Sequence, residues 1–60
     1  MFTLTIKTDN AAFDGDLKTE ELARILRVVA DKLEGEARTA GRCMDINGNG
    51  VGSFELDDDN

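Results

Sequence analysis

The stretch from Thr19 to Gly35 limits the possible folds of this chain more than any other. Leu22, Ile25, Leu26, Val29 and Leu33 recur at steps of three and four, which places their side chains along one side of an α-helix. Thr19 can cap the first turn, Glu20 and Glu21 suit the positive end of the helix dipole, and Gly35 can take a left-handed turn that ends it. The spacing therefore predicts a helix over about 20–34. The outer face carries Glu20, Arg24, Arg27 and Asp31, with Glu20–Arg24 and Arg27–Asp31 expected to pair four residues apart. At 60 residues the chain has material for one domain and one thin core, so everything else must cover that stripe.

Two further segments alternate rather than wind. Phe2, Leu4 and Ile6 oppose Thr3, Thr5 and Lys7, predicting a strand over about 2–8. A polar connection with Asp9, Asn10, Gly15 and Asp16 follows, where Phe13 plugs one end of the core or offers its ring to a nucleobase. Beyond the helix, Met44 and Ile46 alternate with Cys43 and Asp45, and Phe54 and Leu56 with Ser53 and Glu55, predicting a hairpin over about 42–56. A loop of Gly48, Asn49 and Gly50 sets Met44 opposite Phe54 and Ile46 opposite Gly52, with Gly50 left-handed; a two-residue turn is the alternative. The tail, 57–60, is acidic and expected to fray.

Strand, helix, strand, strand gives an α+β fold, β-α-β-β, with a mainly antiparallel three-stranded sheet in the order 1-3-2 and the helix on one face. The order 1-2-3 is the alternative. The second face is expected to carry Thr3, Thr5, Lys7, Cys43, Asp45, Ser53 and Glu55. Two sheet edges remain, and they favour a homodimer or small homo-oligomer.

Thirteen acidic residues against seven basic leave a net charge of −6, which disfavours binding to duplex DNA. One cysteine, no secretion signal and no bilayer-length apolar run point to a reduced, cytoplasmic protein that does not enter the membrane. Without histidine, a nucleophile elbow or a phosphate-cradling loop, the chain is expected not to be an enzyme and to need no cofactor. Asp45-Ile46-Asn47-Gly48-Asn49-Gly50 reproduces the opening of a calcium loop, but Leu56 stands where the bidentate Glu belongs, so no metal is expected. Lys7, Lys18, Arg24, Arg27, Arg38 and Arg42 suffice to hold a phosphate-bearing ligand if two copies bring them together.

Thr-Asp-Asn-Ala-Ala-Phe at 8–13, Glu-Leu-Ala-Arg-Ile-Leu-Arg at 21–27, Ala-Asp-Lys-Leu-Glu at 30–34 and Asp-Ile-Asn-Gly-Asn-Gly-Val-Gly at 45–52 resemble a group of short phage and prophage proteins of unassigned role. The resemblance implies a counter-defence protein of one of two kinds. A sponge that traps a nucleotide immune signal as a homo-oligomer would use Arg24, Arg27, Arg38 and Arg42, with Phe13 as a base platform. An acidic anti-CRISPR inhibitor that occupies the nucleic-acid site of a bacterial defence complex would use Glu55, Asp57, Asp58 and Asp59. An accessory protein that binds another phage protein is the third reading.

Overall fold

The computed structural model describes residues 1–57, in which β1 (Phe2–Ile6), a 3-10 turn (Ala11–Phe13), α1 (Leu17–Gly35), β2 (Ala40–Met44) and β3 (Gly50–Leu56) follow one another. β3 lies between β1 and β2 and runs antiparallel to both, giving the order 1-3-2. The helix lies on one face.

β1 has the alternation its sequence predicts, with Leu4 opposite Phe54 and Thr5 opposite Ser53. It ends at Ile6 rather than Thr8. The 3-10 turn is capped by Asn10, whose side chain accepts from the N–H of Ala12 at 2.9 Å, and it drives Phe13 into the core at 1 % exposure. Phe13 therefore closes the core and leaves no ring face for a base.

The helix starts two residues before Thr19, because the turn at Asp14 to Asp16 already winds into it. Gly15 is left-handed at φ 57°, and the N–H groups of Leu17 and Lys18 donate to the carbonyls of Asp14 and Gly15 at 3.0 and 3.4 Å. At the other end Gly35 is the last helical residue, and Ala37 takes the left-handed position at φ 53°. That bend lets the N–H of Arg38 donate to the carbonyl of Lys32 at 3.0 Å, beside the bond of 3.3 Å that the same carbonyl accepts from the Glu36 N–H.

The hairpin departs most from expectation. Phe54 faces Gly41 and Gly52 faces Cys43, so the strand's inward side is Gly41 and Cys43, whereas Met44 and Ile46 are exposed. A Cβ on Gly41 would stand 2.8 Å from the Phe54 ring; the ring occupies the space that a side chain would need. Cys43 and Asp45, expected on the outer face, are both buried. Between Cys43 and Met44 the partner strand advances from Gly52 to Gly50, leaving Val51 as the extra residue of a bulge. The bulge explains why Val51 and Phe54, three apart, are both buried. The loop spans 45–49, with Gly48 rather than Gly50 left-handed, at φ 86°.

Phe13, Ile25, Val29, Cys43, Val51 and Phe54 form the core, flanked by Leu4, Ile6, Ala12, Leu22 and Leu33. Fully burying one such aliphatic or aromatic side chain is worth about 1.5–3 kcal/mol. Leu26, placed in the stripe by periodicity, is half exposed. Asp57, expected to lie in a frayed tail, exchanges two main-chain hydrogen bonds with Met1 at 2.6 and 2.7 Å; the rest of the expected tail, with Asp58 and Asp59, lies outside the described residues.

Candidate functional site

Two buried carboxylates organise one end of the molecule. Asp45, directly after β2, turns its side chain into its own loop: Oδ1 accepts from the N–H groups of Asn47 and Asn49 at 2.9 and 2.8 Å. Oδ2 accepts from the Asn49 amide at 3.2 Å and from the Asn10 amide at 2.9 Å. The pattern of Asp with Asn two and four residues later, read as the start of a calcium loop, is thus an acceptor surrounded by N–H donors that fix the turn. Hydrogen bonds led by that from the Asn49 N–H hold the Asp45 carboxyl below its ordinary range, against the opposing effect of burial.

Glu21 does the same work from the helix. It lies one step beside the apolar stripe and is buried. Its oxygens accept from Arg24 Nε and Nη2 at 2.8 and 3.0 Å, and Oε2 also accepts from the Ile46 N–H at 2.8 Å. Arg24 Nη2 reaches on to the Met44 carbonyl at 3.0 Å. The hydrogen bonds to Arg24 depress the Glu21 carboxyl, with burial opposing. The 3-10 turn, through Asn10, and the helix, through Glu21 and Arg24, therefore clasp the hairpin loop from two sides. Every buried side-chain polar atom among the described residues has a partner.

The clasp holds an apolar tip in water. Ile46 is 70 % exposed and Leu17 about half exposed, and with Ala11, Ala12, Glu20, Glu21, Arg24 and Asn47 they line a depression of about 430 Å³. A second, polar hollow of about 540 Å³ adjoins the start of the helix, lined by Asp9, Asp14, Asp16 and Lys18 among others. The apolar depression is thus flanked by acid.

The arginines expected to converge are spread out instead. Arg24 is held by Glu21, three residues before it and not Glu20. Arg38 Nε pairs with Glu36 at 3.2 Å. Arg27 lies exposed on the helix and makes no ion pair with Asp31. Arg42 belongs to the sheet face away from the helix, opposite Ser53. Within one copy these four do not form a phosphate cradle, and Phe13 is buried away from all solvent. Glu55 is exposed on the outer sheet face opposite Thr3, and the Asp57 backbone is paired with Met1.

Sequence reasoning overlooked Glu21, Asn10, Leu17 and Ile46. For Asp45 and Asn49 the turn signal was visible, but the burial of Asp45 and its bond to Asn10 were not. Among the described residues no helix is long and apolar enough to cross a membrane. No protein-family model matches the chain, and neither curated proteins nor solved structures return a relative.

Proposed function

We propose that this protein acts by stoichiometric binding rather than catalysis, docking the end that carries Leu17 and Ile46 on a basic protein surface of the kind that ordinarily holds nucleic acid. The observation that carries this reading is the exposure of Ile46 on a loop immobilised by Asp45, Glu21 and Arg24. An apolar side chain held rigidly in water pays little ordering entropy on binding. Asp14, Asp16 and Glu20 beside it, in a chain of net charge −6, suit a cationic rim on the partner and speed the encounter. The likeness to short phage proteins supplies the biological setting, inhibition of a bacterial defence complex.

The test is capture of a CRISPR surveillance complex by the immobilised chain, with DNA as competitor. Retention that DNA displaces, and that Ile46→Asp abolishes, supports the reading. Failure to retain the complex, or equal retention by Ile46→Asp, overturns it.

A second reading, the nucleotide sponge, is favoured by the exposed and unpaired Arg27 and Arg42 among the described residues. It requires guanidinium groups from two copies to meet at one phosphate. Calorimetry against cyclic and linear nucleotides decides it, since heat that vanishes in Arg27→Ala or Arg42→Ala supports a shared site and flat traces remove it.

A further inference from the structure

The two edges of the sheet differ, and the difference comes from where the helix lies. Along β2 and the residue that precedes it, those that bond to β3 are Thr39, Gly41 and Cys43, as the bond from the Leu56 N–H to the Thr39 carbonyl at 2.6 Å establishes. Alternation then turns the main-chain groups of Arg42 and Met44 outward. Their carbonyls are met by the helix: Lys32 Nζ donates to Arg42 O at 3.3 Å and Arg24 Nη2 to Met44 O at 3.0 Å. Two cations thus cap the β2 edge, a recognised way of keeping another strand away.

β1 has no such cover. Met1 and Asp57 exchange two hydrogen bonds and the Lys7 N–H donates to Val51 O at 2.7 Å, so the odd-numbered residues bond to β3. The N–H and C=O groups of Phe2, Leu4 and Ile6 face outward, and no side chain of the described residues meets them.

Apolar surface lies on the same side. On a helical projection with Ile25 and Val29 facing the core, Glu21, Arg24 and Lys32 fall on one flank and Leu22, Leu26 and Leu33 on the other. The first flank touches β2 and its loop, so the leucine flank faces β1. There Leu26 is 48 % exposed, and the cross-strand pair Phe2 and Leu56 is 43 % and 40 % exposed.

We infer that β1 is a homodimer seam, where two copies pair antiparallel about a two-fold axis through Leu4 and form one six-stranded sheet. The strand is its own complement. Leu4 meets Leu4 of the second copy and Phe2 meets Ile6, each exchanging main-chain hydrogen bonds, while Thr3 meets Thr5 on the outer face. An axis perpendicular to the sheet keeps both helices on one side, so Phe2, Leu56 and Leu26 of each copy border a shared apolar trough. Charge selects the occupant as well: two chains of net charge −6 repel, and β1 carries no charged side chain, so this edge admits a second copy at least electrostatic cost.

Sedimentation equilibrium and amide exchange test the seam in the full chain. A concentration-dependent dimer is expected, in which the Phe2, Leu4 and Ile6 amides are protected and lose that protection on dilution. Thr3→Lys with Thr5→Lys, both exposed positions, sets lysine against lysine and should weaken dimerisation at least tenfold. Thr3→Glu with Thr5→Lys sets opposite charges across the seam and should restore it, which separates loss of the interface from loss of the fold. A monomer at all concentrations overturns the inference. So does a dimer that the double lysine variant leaves intact, or one whose Phe2, Leu4 and Ile6 amides exchange as freely as in the monomer. Protection of these amides in a monomer by an extended peptide from another protein would assign the edge elsewhere and also overturn it.

Discussion

Replacing Gly52 by alanine tests the sheet at its tightest point. Gly52 lies in the central strand opposite both Ile6 and Cys43. A Cβ there would run into the Thr5 carbonyl oxygen and stand 2.8 Å from the Thr5 carbonyl carbon and 3.0 Å from Ile6 Cα. Comfortable carbon–carbon contact begins at about 3.5 Å, so β1 must retreat by at least about 0.7 Å. The neighbouring bonds would stretch from about 2.9 Å to about 3.6 Å, beyond hydrogen-bonding range. Losing two or three of them at about 1 kcal/mol each, with about 1–3 kcal/mol of overpacking, gives a cost of about 3–6 kcal/mol. At about 0.05–0.15 kcal/mol per residue the whole domain has about 3–9 kcal/mol, so the variant should be largely unfolded or melt far below the parent. The chain has neither Trp nor Tyr, which makes far-UV circular dichroism in urea the assay of choice. Gly41→Ala, whose new methyl would stand 2.8 Å from the buried Phe54 ring rather than against backbone, should fall between Gly52→Ala and the parent. Gly35→Ala, in open space at a helical position, should gain up to about 1 kcal/mol. A Gly52→Ala protein within about 1 kcal/mol of the parent would refute the strand spacing and the register on which this estimate depends.

Three further outcomes follow from the same geometry. The carboxyls of Glu21 and Asp45 are depressed in the folded chain, so the unfolded state takes up protons first; their stabilisation is complete above about pH 5 and is lost as pH falls through about 4 and below. Thermal melts from pH 3 to 8 should show that acid limb, Asp45→Asn should destabilise the protein and shrink the limb, and an unchanged limb would disconnect the clasp from stability. Ala37→Gly should raise stability by about 1 kcal/mol in urea titration, because it relieves a left-handed alanine at φ 53°; a loss would place the strain elsewhere. Burial keeps the Cys43 thiol out of reach and raises its pKa, so a thiol reagent should modify it only as fast as the chain opens, and labelling at the rate of the unfolded protein would contradict its place in the core.

How far these features could be read in advance varies along the chain. Leu4, Ile6, Ile25 and Val29 announce their elements through period alone, because the local backbone repeat decides which side of a helix or strand a side chain occupies, even though the core they enter is built from distant segments. β2 does not, since its inward positions are Gly41, which has no side chain, and Cys43, while Met44 at its end and Ile46 in the loop beyond it face water. Periodicity counts side chains, and here the space is filled from the opposite strand by Phe54. Glu21 was hidden for a related reason: a carboxylate beside an apolar stripe looks solvated until Arg24 and the Ile46 N–H arrive from other directions to neutralise and satisfy it.

By itself the sequence determined one amphipathic helix and three strands in the succession β-α-β-β, because hydrophobic period and chain connectivity are local properties; between the strand orders 1-3-2 and 1-2-3 the structure selects the first. Tertiary structure alone decided the β2 register, the burial of Asp45 and Glu21, and the difference between the capped and the open sheet edge. Each of those depends on which distant donor or ring reaches a given backbone group, and that is set only when helix, turn and hairpin meet in space.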